Sequence, residues 1–187
     1  DMGYGDVSCL NPEAKIHTRQ LDALADGGMR FTDAHATSAV CTPSRYSILT
    51  GRYNWRSRLK AGVSWGYSPR LIEDGRMTVA SFLRDRGYRT MCVGKWHLGW
   101  TWPRHAATET GDDPNTDDPD DDVDYARPIG DGPTTVGFDR FFGISASLDM
   151  PPYVYVEDDH CTAVPDRRCL AREGKAFYRA GPIAPDF

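Results

Sequence analysis

The stretch CTPSRYSILTGR, residues 41–52, places a cysteine directly ahead of a proline, a serine and an arginine. Thr42 is an N-cap residue type, and Pro43 fits the first helical position, where its missing N–H costs nothing. Cys41 is thereby expected at a helix N-terminus. Free backbone N–H groups and the positive end of the helix dipole favour an anion there. Arg45, four residues on, reaches back over the same spot. A nucleophile that attacks an anionic ester needs this combination.

A second pair follows in the words GKWHLG, where Lys95 and His97 are separated by Trp96. In an extended segment, residues two apart point to the same side, so both side chains are expected on one site with Trp96 facing away. Gly94 and Gly99 permit tight backbone on either side. The pair stands after a predicted strand, and open α/β sheets place ligand sites outside the carboxyl ends of their strands.

Together these words resemble the signatures of type I sulfatases. The match includes Cys41, Pro43, Ser44, Arg45, Leu49, Thr50, Gly51 and Arg52, then GKWHLG, then the opening DMGYGD, GFDRFFG and DMPPYVYVED. The resemblance runs along nearly the whole chain. It implies that Cys41 is oxidised to formylglycine by a formylglycine-generating or anaerobic sulfatase-maturating enzyme. It further implies that Arg45 and Lys95 contact the sulfate and the modified residue, that Ser147 touches the sulfate, and that His97 serves the formylglycine hydroxyl. Asp1 corresponds to one of a pair of metal-binding aspartates, with the modified Cys41 completing that side of the site. A hard cation with oxygen ligands fits calcium or magnesium, and the resemblance favours calcium. The fold implied is alkaline-phosphatase-like, an α/β layered fold with a mixed central sheet flanked by helices. The substrate implied is a sulfated small molecule or glycan, with the later words most like carbohydrate-directed enzymes. The parent protein is expected in a periplasmic, secreted or lysosome-like compartment.

The chemistry explains why a plain thiol would not serve. A thiol attacking sulfur leaves a stable thiosulfate-like adduct. A hydrated aldehyde can attack with one hydroxyl and expel sulfate through the other. Positive groups fixed around the sulfuryl oxygens stabilise the charge that develops, each typically worth about 10²–10³-fold in rate.

Composition bounds the alternatives. The 187 residues carry a net charge of −5, which gives no support to nucleic-acid binding. No apolar run approaches the ~20 residues of a membrane span. The five cysteines lack the short spacing of a zinc module. Cys92 reads as a small buried hydrophobe. Cys161 and Cys169 either close a disulfide or stay as free thiols. Two alternatives stay open: a phosphonate or phosphate monoester hydrolase of the same superfamily, and a non-catalytic anion-binding chain with unmodified Cys41. Residues 1–187 read as the N-terminal portion of a catalytic domain, expected to be inactive without further metal ligands and a leaving-group acid.

The elements that must position these groups alternate helix, glycine and strand. Helical spacing covers 19–26, ending at Gly27-Gly28. A short strand is expected at 29–32, then the Cys41 helix. A second amphipathic helix is expected over 78–86, with Val79, Phe82 and Leu83 on one face and Gly87 closing it. A strand over 88–93 leads into Lys95. Between about 103 and 133 the chain turns acidic. Nine of the sixteen residues from Glu109 to Asp124 are acidic, which reads as a solvated loop without the ligand order of a calcium-binding loop. Phe138, Phe141 and Phe142 are expected in the core, and PYVYVED as a strand. Asp6 reads as a turn-closing residue and His35 as structural, while His17, His105 and His160 have no evident partner.

Overall fold

In a computed structural model, the structure describes residues 2–105, 122–174 and 177–187. Asp1 and most of the acidic loop lie outside the described residues. The chain divides into two units, Asp1–Ala36 and Thr37–Phe187.

In the first unit a 3-10 turn over Tyr4–Asp6 is closed by Asp6, whose carboxylate accepts the Gly3 N–H at 2.9 Å. The turn role expected of Asp6 holds. Helix α1 spans Arg19–Gly27. Asp22 pins its first turn by accepting from the Ser8 hydroxyl at 2.6 Å and the Thr18 hydroxyl at 2.8 Å. Hydrogen bonding from Ser8, ahead of that from Thr18, holds the Asp22 carboxyl down at about 2. The strand expected over residues 29–32 is not formed, and Met29 and Phe31 are exposed. A strand needs a ladder partner for its backbone groups, and none of the described strands pairs with this segment.

The second unit holds the sheet. Helix α2 covers Cys41–Thr50 and stops at Gly51, whose left-handed φ of 64° suits a residue without a Cβ. Helix α3 runs Val79–Arg84, shorter than its pattern suggests, with Thr78 and Ser81 forming the cap. Val79 and Phe82 are exposed rather than packed. Strand β1, Met91–Lys95, pairs in parallel with β2, Arg140–Ile144. β3 (Val156–Glu157) and β4 (His160–Cys161) extend this mixed sheet antiparallel in the order β1-β2-β3-β4. A separate ribbon joins β5, Arg167–Cys169, to β6, Gly181–Ile183. The strand expected over the whole of PYVYVED is therefore two residues long, with Tyr153 adding an isolated bridge to Ile183.

β1 begins three residues later than its apolar run. Thr90, just ahead of it, donates its hydroxyl to the Gly137 carbonyl at 2.8 Å, which fixes the entry. β1 and β2 approach closely at Gly143, where a Cβ would stand 1.7 Å from the Gly94 carbonyl oxygen, so glycine is required there. The core lies on one side of the sheet. Trp96, Trp100 and Phe141 meet edge to face, with ring centroids 6.1–6.5 Å apart for the two Trp–Phe pairs. Tyr46, Leu71, Leu98 and Val154 complete it. Phe141 and, in part, Phe138 anchor the core as expected, but Phe142 lies on the opposite, exposed face beside Val93. Period-two alternation along β2 requires that of adjacent phenylalanines. Cys92 packs against the core, and Cys161 and Cys169 are free thiols.

Candidate active site at the α2 N-terminus

α2 begins at Cys41 itself, with Val40 as its cap residue, two positions earlier than Thr42 would set it. Thr42 does not cap the helix because its hydroxyl is used elsewhere. It donates to the His97 carbonyl at 3.0 Å and accepts the Ser64 N–H, also at 3.0 Å, fully buried. Pro43 sits within the first turn, where N–H groups have no intrahelical partner, so its ring is tolerated. Half-buried Cys41 therefore occupies the first helical position, among the free N–H groups.

Arg45, one turn along, donates from Nη1 to the carbonyl of Lys95. Two side chains from the first turns of α2 thus clamp the end of β1, one at Lys95 and one at His97. From the other side, β2 continues the pairing beyond its last strand residue. The Trp96 N–H reaches the Ile144 carbonyl at 2.9 Å and the His97 N–H reaches the Ser145 carbonyl at 2.8 Å. This carries residues 145–147 alongside 95–97, and Lys95 Nζ donates to Ser147 Oγ at 3.4 Å.

His97 departs from the expected alternation. Its φ is 60°, in the left-handed region, so the strand geometry ends at Lys95. Trp96 and His97 are both buried, whereas Lys95 is half-buried. The pair still shares one site, reached by a turn of the backbone rather than by strand geometry. His97 Nε2 donates to the Ser64 carbonyl at 2.6 Å, because a carbonyl can only accept. The other ring nitrogen, Nδ1, is buried without a partner among the described residues. Burial, then the positive charges of Lys95 and Arg45, push the His97 pKa down to about 4 against the opposing effect of its hydrogen bond to the Ser64 carbonyl. At neutral pH the ring is therefore neutral, with a bare lone pair on Nδ1.

Sequence reasoning did not find Ser64, Trp65 or Arg179. The Ser64 carbonyl accepts the His97 Nε2–H, and the Ser64 N–H donates to Thr42. Arg179 pairs with Asp149 at 2.7 Å, next to Ser147. Serine in a loop and an ion pair 30 residues apart leave no motif to read. Among the described residues no group of three or more His, Cys, Asp or Glu side chains gathers to hold a metal ion. The described residues alone do not make a calcium site, and Asp1 lies outside them. Position 41 does fit a formylglycine. It offers helix N–H groups for an anion, and the buried, unpartnered Nδ1 of His97 belongs to the segment that α2 grips.

Residues 1–172 match the family model described as Sulfatase. The chain belongs to the sulfatase family. It is 38% identical over 160 residues to the N-acetylgalactosamine-6-O-sulfatase of Bacteroides thetaiotaomicron, covering 86% of this chain and 28% of that protein. It is 44% identical over 152 residues to human arylsulfatase A, covering 81% of this chain and 25% of the relative. A solved structure described with the metabolism of multiple glycosaminoglycans by Bacteroides thetaiotaomicron superposes with a TM-score of 0.70 at 36% identity, covering 94% of this chain and 33% of that one. This sulfatase-family chain thus spans less than a third of the length of these curated relatives. The mixed α/β architecture expected from the motifs is the one observed. No described helix is long and apolar enough to cross a membrane.

Proposed function

We propose that this chain supplies the nucleophile half of a sulfuric ester hydrolase acting on a sulfated carbohydrate, with formylglycine made from Cys41 as the nucleophile. The observation that carries this reading is the buried, neutral His97 with an unpartnered Nδ1, gripped through its own carbonyl by the residue that follows Cys41. Formylglycine, once hydrated, supplies one hydroxyl to attack sulfur and a second whose deprotonation expels the sulfate. His97 Nδ1 is the atom that takes that second proton, and the Ser64 carbonyl keeps the ring's own proton on Nε2. General-base action of this kind contributes about 10²–10⁴-fold. Arg45, Lys95 and the α2 N–H groups stabilise the sulfuryl oxygens, with Ser147 beside Lys95. Asp1 is the residue assigned to calcium, on the strength of the opening DMGYGD.

The similarity to an N-acetylgalactosamine-6-O-sulfatase supports a sulfated amino sugar as the substrate class. Sulfate rather than phosphate or phosphonate esters is favoured because the named relatives are sulfatases. A formylglycine-generating or anaerobic sulfatase-maturating enzyme is the partner this reading requires, and a periplasmic, secreted or lysosome-like compartment the location. The test is peptide mass spectrometry of active full-length protein, with turnover measured on 6-O-sulfated N-acetylgalactosamine and on a phosphate ester. Loss of the thiol sulfur at position 41, sulfate-selective turnover and no turnover in Cys41→Ala are expected. Full activity with an intact thiol would refute the reading.

A further inference from the structure

A chain of charges runs behind Lys95 that the chemistry above does not use. Arg179 Nη1 donates to the Asp149 carboxylate at 2.7 Å and to the Asp149 carbonyl at 3.3 Å. Its backbone N–H reaches that same carbonyl at 3.2 Å, and its own carbonyl accepts the Tyr153 hydroxyl at 2.8 Å, so the main chain carrying it is fixed. Burial works to raise the Asp149 pKa, but hydrogen bonds from the Ser147 hydroxyl and from Arg179 hold it below the ordinary carboxylate range.

Ser147 and Asp149 share one turn, closed by the Met150 N–H on the Ser147 carbonyl at 2.9 Å. An ammonium only donates, so the Ser147 hydroxyl oxygen accepts from Lys95 Nζ at 3.4 Å. The same guanidinium lies 4.6 Å from the centre of the Trp65 ring and 5.0 Å from that of Phe177. Trp65 follows Ser64, whose carbonyl holds His97 and whose N–H holds Thr42. One side chain thereby braces both halves of the site.

We infer that Arg179 is a positioning residue for sulfate-ester cleavage: through the turn that carries Asp149 and Ser147 it aims the Lys95 ammonium, and through Trp65 it backs the segment that orients His97. The inference rests on the sulfatase reading of Cys41, Lys95 and His97. Outer partners of this kind typically contribute about 10–100-fold in activity when lost. The planar, always-charged guanidinium suits the role, since it can hold a carboxylate with one edge and stack on aromatic rings with its face.

The experiment uses the full-length, matured protein with an aryl sulfate substrate and inorganic sulfate as competitive inhibitor. Arg179→Ala and Asp149→Asn are each expected to lower kcat/KM by about 10–100-fold and to raise the inhibition constant for sulfate. The double variant should lose no more than the worse single one, because the two act as a unit. Arg179→Lys should recover part of the loss. Asp149→Asn keeps the shape of the side chain and decides the matter where Arg179→Ala fails to fold. Wild-type kcat/KM and sulfate inhibition in folded Asp149→Asn would overturn the inference, as would additive losses in the double variant. Lys95→Ala separates the two levels. Loss of activity there with unaffected Arg179 and Asp149 variants removes only the positioning role, whereas an active Lys95→Ala removes the sulfatase assignment of the site.

Discussion

The buried imidazole of His97 should make this protein acid-sensitive in a defined window. Its pKa falls from 6.5 to about 4 on folding, because burial and two neighbouring cations disfavour the imidazolium. The unfolded chain therefore binds a proton before the folded one does. Stability is fully present above the unfolded value of about 6.5 and is lost as pH falls toward the folded value of about 4, below which both states are protonated. At about 1.4 kcal/mol per pH unit, this one group costs about 3 kcal/mol across the window. That is a large part of a typical stability of about 5–15 kcal/mol. The assay is denaturant unfolding of the full-length protein at a series of pH values from 7 to 4, wild type against His97→Gln. Glutamine keeps an N–H donor for the Ser64 carbonyl and cannot titrate. Both residues must adopt the same left-handed backbone, and carboxylates common to both proteins cancel in the difference. The wild type should lose about 3 kcal/mol more than the variant over this range. Parallel loss in the two proteins would refute a buried, neutral His97, and with it the bare lone pair on Nδ1.

Three further outcomes are expected. Lys95→Ala should lower kcat/KM on an aryl sulfate by about 10²-fold or more while leaving the melting temperature near wild type, as measured by steady-state kinetics and thermal unfolding. Thr42→Val removes the hydroxyl that bridges the His97 carbonyl and the Ser64 N–H, leaving two buried groups unmatched, and should cost about 1–3 kcal/mol in equilibrium unfolding. Asp1→Asn should weaken calcium binding to the full-length protein in titration calorimetry, and unchanged affinity would remove Asp1 from the ligand set.

Much of this candidate site was legible because its parts are short and contiguous. Cys41, Arg45, Lys95 and His97 sit in two words of the sequence, and Thr42 and Arg45 join those words in the fold. What could not be read was how those words are held. Thr42 looks like a helix cap, but a hydroxyl able to satisfy two buried backbone groups is worth more there than at a helix end. The alternation that placed Lys95 and His97 on one side fails because the backbone turns left-handed at His97 and buries Trp96 as well. Ser64, Asp149 and Arg179 are common residue types in loops, and their meaning comes from contacts 30 or more residues away in sequence. The strand expected at 29–32 has the apolar content of a strand and no described ladder partner, which local pattern cannot foresee. The helix expected over 78–86 formed over 79–84, short of Gly87, and Val79 and Phe82 remain exposed, since an amphipathic face says nothing about what covers it.

The proposed function gives a use to the charges gathered around His97. Arg45 and Lys95 act together on His97, and both depress its affinity for a proton. The negative charge of Asp149 opposes them, less strongly. The clamp explains how they are kept there. Thr42 and Arg45 grip the carbonyls of His97 and Lys95, the Ser145 carbonyl holds the His97 N–H, and the Ser147 hydroxyl accepts from the Lys95 ammonium, which keeps both cations beside the ring. Under the proposed function, a sulfate ester entering at the α2 N-terminus would add negative charge to that of Asp149, and cleavage of its S–O bond would add more. Each increment would raise the proton affinity of His97, so the ring would become a better base as sulfate builds up beside it, which is when a proton must be taken for sulfate to leave. Cations set in advance around a neutral histidine would thus favour the charged end of that reaction over its beginning, which is where catalysis requires the stronger binding.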